Sequence, residues 1–313
     1  MALELLQRSY KKGTNMKKNR LHRSTHSTLS AVIATATVCL LTACKSTVRP
    51  TGSSELQPHD ALMGTLWVQT SGEYVALCEQ AYRAAGVSLE TALADANWSA
   101  ATEQAERNVS QLPPAIIVDV DETVLDNSPY QARLIQTGGS FDPATWAEWC
   151  ERAEAEAVPG SLDFLRAADA LGVTIFYITN RDAPSEAATR TNLAALGFPL
   201  DEARDTVLLN GEQPDWNSSK LARRALVAAD YRILFIAGDD LNDFAPGFKT
   251  GDPVQRKADV AQYADRFGKE WILLPNPQYG SWEASLYQRN YSLDAAEKRA
   301  RMHSRLRSYT VPE

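Results

Sequence analysis

The sequence predicts an α/β fold: a doubly wound, mostly parallel sheet with helices on both faces and a small, mainly helical cap. Three observations predict it. Short apolar, β-branched runs recur between stretches of helical periodicity. Several of those runs end in acidic or hydroxyl residues. One connection, just after the first run, is far longer than the rest. Runs apolar on both faces belong to strands covered from above and below, and their alternation with helices selects parallel order.

Residues 1–43 read as a targeting segment outside this fold. Lys17, Lys18, Arg20 and Arg23 precede the apolar run LSAVIATATVCLL at 29–41, which is too short to span a bilayer but suits a signal core. A signal of ordinary length starts at Met16, leaving 1–15 to a misassigned start codon. The run ends in LTAC, which resembles the lipobox of bacterial lipoproteins and implies Cys44 as the lipidation site, the alternative being an ordinary signal with an incidental cysteine; residues 44–58 (Cys44 to Pro58) form a polar tether. The expected location is the cell envelope, as an outer-membrane lipoprotein. Membrane contact is expected through the N-terminal lipid only.

Residues 1–43 carry seven of the 32 basic and one of the 39 acidic side chains, so the remainder has a formal charge of −13. That balance disfavours nucleic-acid polymers, and the basic run Lys298, Arg299, Arg301, Arg305, Arg307 reads as a solvated helix face. Only His59 and His303 remain in that portion, too few for a histidine-rich metal centre. A Ser-His-Asp triad is equally disfavoured. Cys78 and Cys150 are compatible with a disulfide or with two free thiols.

The domain expected over 59–313 begins with helical spacing from about 60 to 110, as in Tyr74, Leu77, Cys78, Ala81 and Tyr82. Strands follow at 115–120 (AIIVDV), 173–178 (VTIFYI), 206–209, 232–237 (RILFIA) and 271–274. Helices are expected at 161–171, 184–196, 218–229 and 256–266. The insertion at about 126–158, with Phe141, Trp146, Trp149 and Cys150, is the expected cap.

The chemistry gathers after the carboxyl ends of the strands, where open α/β sheets place their sites. Asp119 and Asp121 leave the first strand two residues apart, on one side by strand periodicity. Two such carboxylates suit one nucleophile and one proton donor. Gly238-Asp239-Asp240-Leu241-Asn242-Asp243 follows the fourth strand. Its oxygen donors, with no His or Cys beside them, favour Mg²⁺ over zinc. Alone, the segment is equally compatible with helix capping. Thr179 offers a hydroxyl after the second strand, and Lys220, in NSSK, offers a point charge for a phosphoryl oxygen.

DVDET, ITNR, NSSK and GDDLNDF, in that order, resemble the four motifs of the haloacid dehalogenase (HAD) superfamily. The flanking WVQTS, DVDETVLDNSPY and LPNP followed by Tyr279-Gly280 and Trp282-Glu283 are similar to the class C acid phosphatases, bacterial outer-membrane lipoproteins, some of them 5′-nucleotidases. The resemblance covers about residues 60–290. It implies that Asp119 attacks phosphorus, giving an aspartyl-phosphate, and that Asp121 serves the leaving group and then water. It implies Mg²⁺ held by Asp119, the Asp121 carbonyl and Asp239, with Asp243 orienting its water. Thr179 and Lys220 would grip the phosphoryl oxygens. Asp240 would be a neighbour, and Arg181 a buttress of the loop.

Small phosphomonoesters, 5′-nucleotides among them, are the implied substrates. Phe141, Trp146, Trp149, Tyr279 and Trp282 are candidates for stacking a base, and Asn180 for a polar contact. The alternatives are a broad-specificity acid phosphatase without nucleotide preference and a non-catalytic binding lipoprotein on the same fold.

Overall fold

The computed structural model describes residues 58–309. The expected signal, Cys44 and the tether up to residue 57 lie outside the described residues. Helices α1 (Leu62–Thr70) and α2 (Gly72–Ala94) come first, then strand β1 (Pro114–Val118). The insertion contains β2 (Leu125–Asp126), α3 (Ser128–Thr137), α4 (Pro143–Arg152) and β3 (Glu156–Ala157). The chain continues through α5 (Ser161–Asp169), β4 (Thr174–Asp182), α6 (Glu186–Leu196), β5 (Val207–Asn210), α7 (Leu221–Asp230) and β6 (Arg232–Gly238). It closes with α8 (Pro253–Val260), β7 (Trp271–Leu273), α9 (Ser281–Leu286) and α10 (Ala295–His303).

Five strands form one parallel sheet in the order β5-β4-β1-β6-β7. The order reverses at β1, which puts Asp119 at the crevice such a reversal opens. Alternate residues feed two cores. Ile116 and Val118 face a core with Tyr82, Leu89, Phe164 and Tyr177, while Ala115 and Ile117 face one with Val227, Ile233, Phe244 and Trp271. A register shift between Ala115 and Ile116 sends both Leu234 and Phe235 of β6 to the first core.

The cap is a helical pair, α3 and α4, closed at its base by the antiparallel pairing of β2 with β3. Gly138 ends α3 in the left-handed conformation (φ 65°), and the Asp142 side chain accepts from Thr145 N to start α4.

The structure corrects the helical reading of 60–110. Helix stops at Ala94, and residues 95–113 are irregular apart from a 3₁₀ turn at Thr102–Gln104. The Asp95 carboxylate accepts from Asn97 N (2.9 Å), a local bond that competes with helix. The segment then bonds to the sheet, with Trp98 Nε1 donating to Leu234 O (2.7 Å) and Ala100 N to Ile233 O (2.7 Å). The helix expected at 256–266 instead runs from Pro253 to Val260. Cys78 and Cys150 are buried free thiols.

Candidate active site

The site is built where β1 and β6 end side by side. Asp119 N donates to Ala237 O (2.9 Å), extending the pairing one residue past β1 and fixing the Asp119 backbone. Beyond β6 the chain turns through Leu241–Asp243 under a reciprocal cap. Asp240 accepts from Asn242 N (3.0 Å), and Asp243 accepts from Asp240 N (3.1 Å). A side chain at Gly238 would overlap the returning Asp243 carboxylate, so this turn requires glycine. Capping and site geometry are therefore the same feature. Asp240 faces away, toward Arg256 (3.1 Å) and Ser281 N (2.7 Å), while Asp239 and Asp243 face Asp119.

Asp119, Asp239 and Asp243 each offer an oxygen within 4.8 Å of the others. Lys220, buried at the start of α7, ion-pairs with Asp119 and with Asp243 (2.6 Å). Burial pushes the Asp119 carboxyl up to about 7; Lys220 opposes the rise, and the Asp243 and Asp121 charges add to it. Asp239 is raised well above its ordinary value by burial and then by Asp119, despite a bond from Asn276 Nδ2 (2.8 Å). Burial works against the Lys220 charge, but Asp119 and Asp243 hold it above its ordinary value. The buried Asp119 and Asp243 and the half-buried Asp239 thus gather beside one ammonium. This surplus of negative charge on oxygen donors alone fits a hard divalent cation.

The Asp121 side chain is not part of that trio, and the sequence reading gave it only a carbonyl contact to the ion. Its Oδ1 accepts from Arg181 Nε (2.9 Å) and Asn127 Nδ2 (2.9 Å), and its Oδ2 from Thr179 Oγ1 (3.1 Å). Thr179 is fully buried, its proton committed to Asp121 while its oxygen accepts from Arg181 N (3.0 Å). Asn180 braces a loop, donating to Ser218 O (3.3 Å) and accepting from Arg223 Nη2 (2.8 Å).

The aromatics divide. Phe141 is 62 % exposed and Trp146 half-buried, their rings 6.3 Å apart, with Tyr130 beneath Trp146 at 5.0 Å. The Arg181 guanidinium lies 5.6 Å from the Trp146 ring centre, so this cap cluster reaches the Asp121 side of the site. Trp149 is structural, donating from Nε1 to Asn127 Oδ1 (2.8 Å). The Tyr279 hydroxyl bonds Glu122, and Trp282 Nε1 bonds the carbonyls of Asn276 and Tyr279 (both 3.0 Å).

Two residues that sequence reasoning left without a role are central here. Asn127, fully buried, accepts from Trp149 and from Arg181 Nη2 (3.2 Å) and donates to Asp121 and Glu122. Glu122 adopts φ 57° and accepts from Asn127 N (3.0 Å). Burial and the neighbouring Asp121 raise its carboxyl to about 8. Both lie inside DVDETVLDNSPY. The available signal was polar residues between two buried apolar runs, where each buried group needs a partner.

The family model for HAD superfamily, subfamily IIIB (acid phosphatase) matches residues 33–282. The chain is 38% identical to the class C acid phosphatase from Bacillus anthracis solved with tungstate bound, with a TM-score of 0.69. That match covers 80% of this chain and 98% of the other. A second structure of the Bacillus anthracis class C enzyme, 39% identical, matches equally well. Among curated proteins, a stem 28 kDa glycoprotein of Glycine max is 26% identical over 137 residues, 42% of this chain and 53% of its own length. Acid phosphatase 1 of Solanum lycopersicum is 29% identical over 131 residues, 41% of this chain and 50% of its own. The chain spans about half the length of these curated relatives. With most of its length matched by the family model and by a solved class C structure, the chain belongs to the HAD superfamily, subfamily IIIB, of acid phosphatases.

Proposed function

We propose that the protein is a Mg²⁺-dependent phosphomonoesterase of the cell envelope, acting on 5′-nucleotides through an aspartyl-phosphate at Asp119. The observation that carries this reading is the buried Asp119 carboxylate, backed by Lys220 and facing Asp239 and Asp243 at the crevice between β1 and β6. Asp119, Asp239 and the Asp121 carbonyl would hold the ion, with Asp243 beside them, and the ion would supply charge neutralisation at the phosphoryl group.

The remaining chemistry belongs to side chains. An Asp119 oxygen forms a bond to phosphorus while the bond to the leaving oxygen breaks. Asp121 delivers a proton to that oxygen, then takes one from the water that attacks the phosphoenzyme, releasing phosphate and restoring Asp119. Arg181, Asn127 and Thr179 fix Asp121 for both transfers, and Lys220 holds a phosphoryl oxygen. Phe141 and Trp146 offer exposed ring faces on the cap, suited to a nucleobase. The order of basic residues, apolar run and LTAC supports a lipid anchor on Cys44 and an outer-membrane location.

The test is phosphate release from a 5′-nucleotide and from phenyl phosphate, with Mg²⁺ and with chelator. Release that requires the metal supports the reading. Release unaffected by chelator, or none from either compound, rejects it. Equal kcat/KM for both compounds would favour a broad acid phosphatase without nucleotide preference.

A further inference from the structure

A pair of cations beside the catalytic loop has no role in the chemistry above. Lys249 Nζ donates to Ser218 Oγ (2.7 Å) and Ser218 O (3.3 Å). Ser218 lies two residues before Lys220, a span of at most ~7 Å of chain, and its carbonyl also accepts from Asn180, which follows Thr179. Lys249 therefore stands on the loop that delivers Lys220 to Asp119.

Arg289 follows Gln288, whose backbone packs against Gly251, two residues past Lys249. Partial desolvation and the Arg289 charge push the Lys249 ammonium below its ordinary value, while Asp240 pulls the other way. Asp240 is already engaged by Arg256, Asn242 and Ser281 N. Among the described residues neither Lys249 nor Arg289 has a carboxylate partner, and Arg289 Nη1 is buried with no hydrogen bond. The backbone holds this arrangement at a cost. Gln288 and Arg289 are consecutive left-handed residues (φ 58° and 55°), and a side-chain carbon at Gly251 would stand 3.2 Å from the Gln288 backbone. Two adjacent cations, one with an unmet donor, in a strongly acidic chain form a site for an anion.

We propose that Lys249 and Arg289 form a second anion subsite at the rim of the active site, taking a phosphate or carboxylate carried on the substrate's leaving group. This rests on the phosphomonoesterase reading and extends its substrate class to esters with a second negative group.

The experiment measures kcat/KM of the full-length protein with Mg²⁺ on phenyl phosphate, 3-carboxyphenyl phosphate and a nucleoside 3′,5′-bisphosphate. Lys249 is exposed, so Lys249→Ala tests the subsite without disturbing the core; Arg289→Lys and Lys249→Arg are the conservative controls. Loss of one charge-assisted bond lowers kcat/KM for the doubly anionic esters roughly 10-fold in Lys249→Ala. Phenyl phosphate should change less than about 2-fold, and Lys249→Arg should retain the preference. A selective loss with only the carboxylate or only the bisphosphate supports the subsite and names its ligand. An equal loss on all three compounds, or none, overturns it. Failure of the wild-type protein to hydrolyse phenyl phosphate overturns the phosphatase reading itself, and this proposal with it.

Discussion

At the scale of the residue, the site is a charge imbalance held in place by burial. Asp119 and Asp239 have carboxyls raised above the ordinary 3.8, the first to about 7. A carboxyl whose folded value is raised favours the fold when protonated. In metal-free protein, these groups therefore cost stability increasingly as pH rises from about 4 through 7. The melting temperature in chelator should fall across that range, and Mg²⁺ should raise it more at pH 7.5 than at pH 5. Removing one charge should act like the ion. Asp239→Asn should raise the metal-free melting temperature at pH 7.5 by about 2–4 °C for each kcal/mol relieved, and abolish the Mg²⁺ shift. Scanning fluorimetry checks both. A metal shift independent of pH and unchanged in Asp239→Asn would contradict this electrostatic account.

At the scale of the element, the cap and the sheet meet through Asn127. It sits at the base of the cap, between β2 and α3, and bonds Trp149 of α4, Arg181 of β4 and Asp121. Asn127→Ala would strand two buried donors, at a cost of about 1–3 kcal/mol each. If Asn127 positions Asp121, kcat should fall for phenyl phosphate and nucleotide alike with little change in KM, and the pH profile should shift. A purely structural role would lower the melting temperature and leave the profile of the folded fraction unchanged. Trp146→Ala should behave oppositely. Loss of about 1–3 kcal/mol of stacking raises nucleotide KM roughly 5- to 150-fold, with phenyl phosphate nearly unaffected; parallel steady-state assays check it.

Much of this scale was legible in the sequence, because the strands are short, apolar on both faces and bounded by polar turns. The bend at Asp95 was not, since Trp98 and Ala100 bond to β6, more than 130 residues away in sequence. Tyr279 illustrates a second limit. Its ring suggested stacking, but its hydroxyl is held by Glu122, a partner brought near only by the fold. Asp239 and Asp243 were legible as ligand types; that Asp240 would turn to Arg256 was not, because both outcomes satisfy the same capping pattern.

At the scale of the whole molecule, an acidic domain follows a segment with the order of a lipoprotein signal. If Cys44 is the lipidation site, Cys44→Ala should move the protein from the membrane fraction to the soluble fraction with kcat unchanged, as fractionation and assay would show. Retention of that variant in membranes would contradict a lipid-only attachment.

The most direct test of the central claim is to trap the phosphoenzyme. Full-length protein with Mg²⁺ and substrate would be quenched in acid during turnover, reduced with borohydride and digested. Mass spectrometry would then read residue 119, since reduction of an aspartyl-phosphate yields homoserine. The account predicts homoserine at position 119, dependent on substrate and metal, and absent in Asp119→Asn. Active enzyme with unmodified Asp119, or with the modification at Asp121 or another residue, would contradict it.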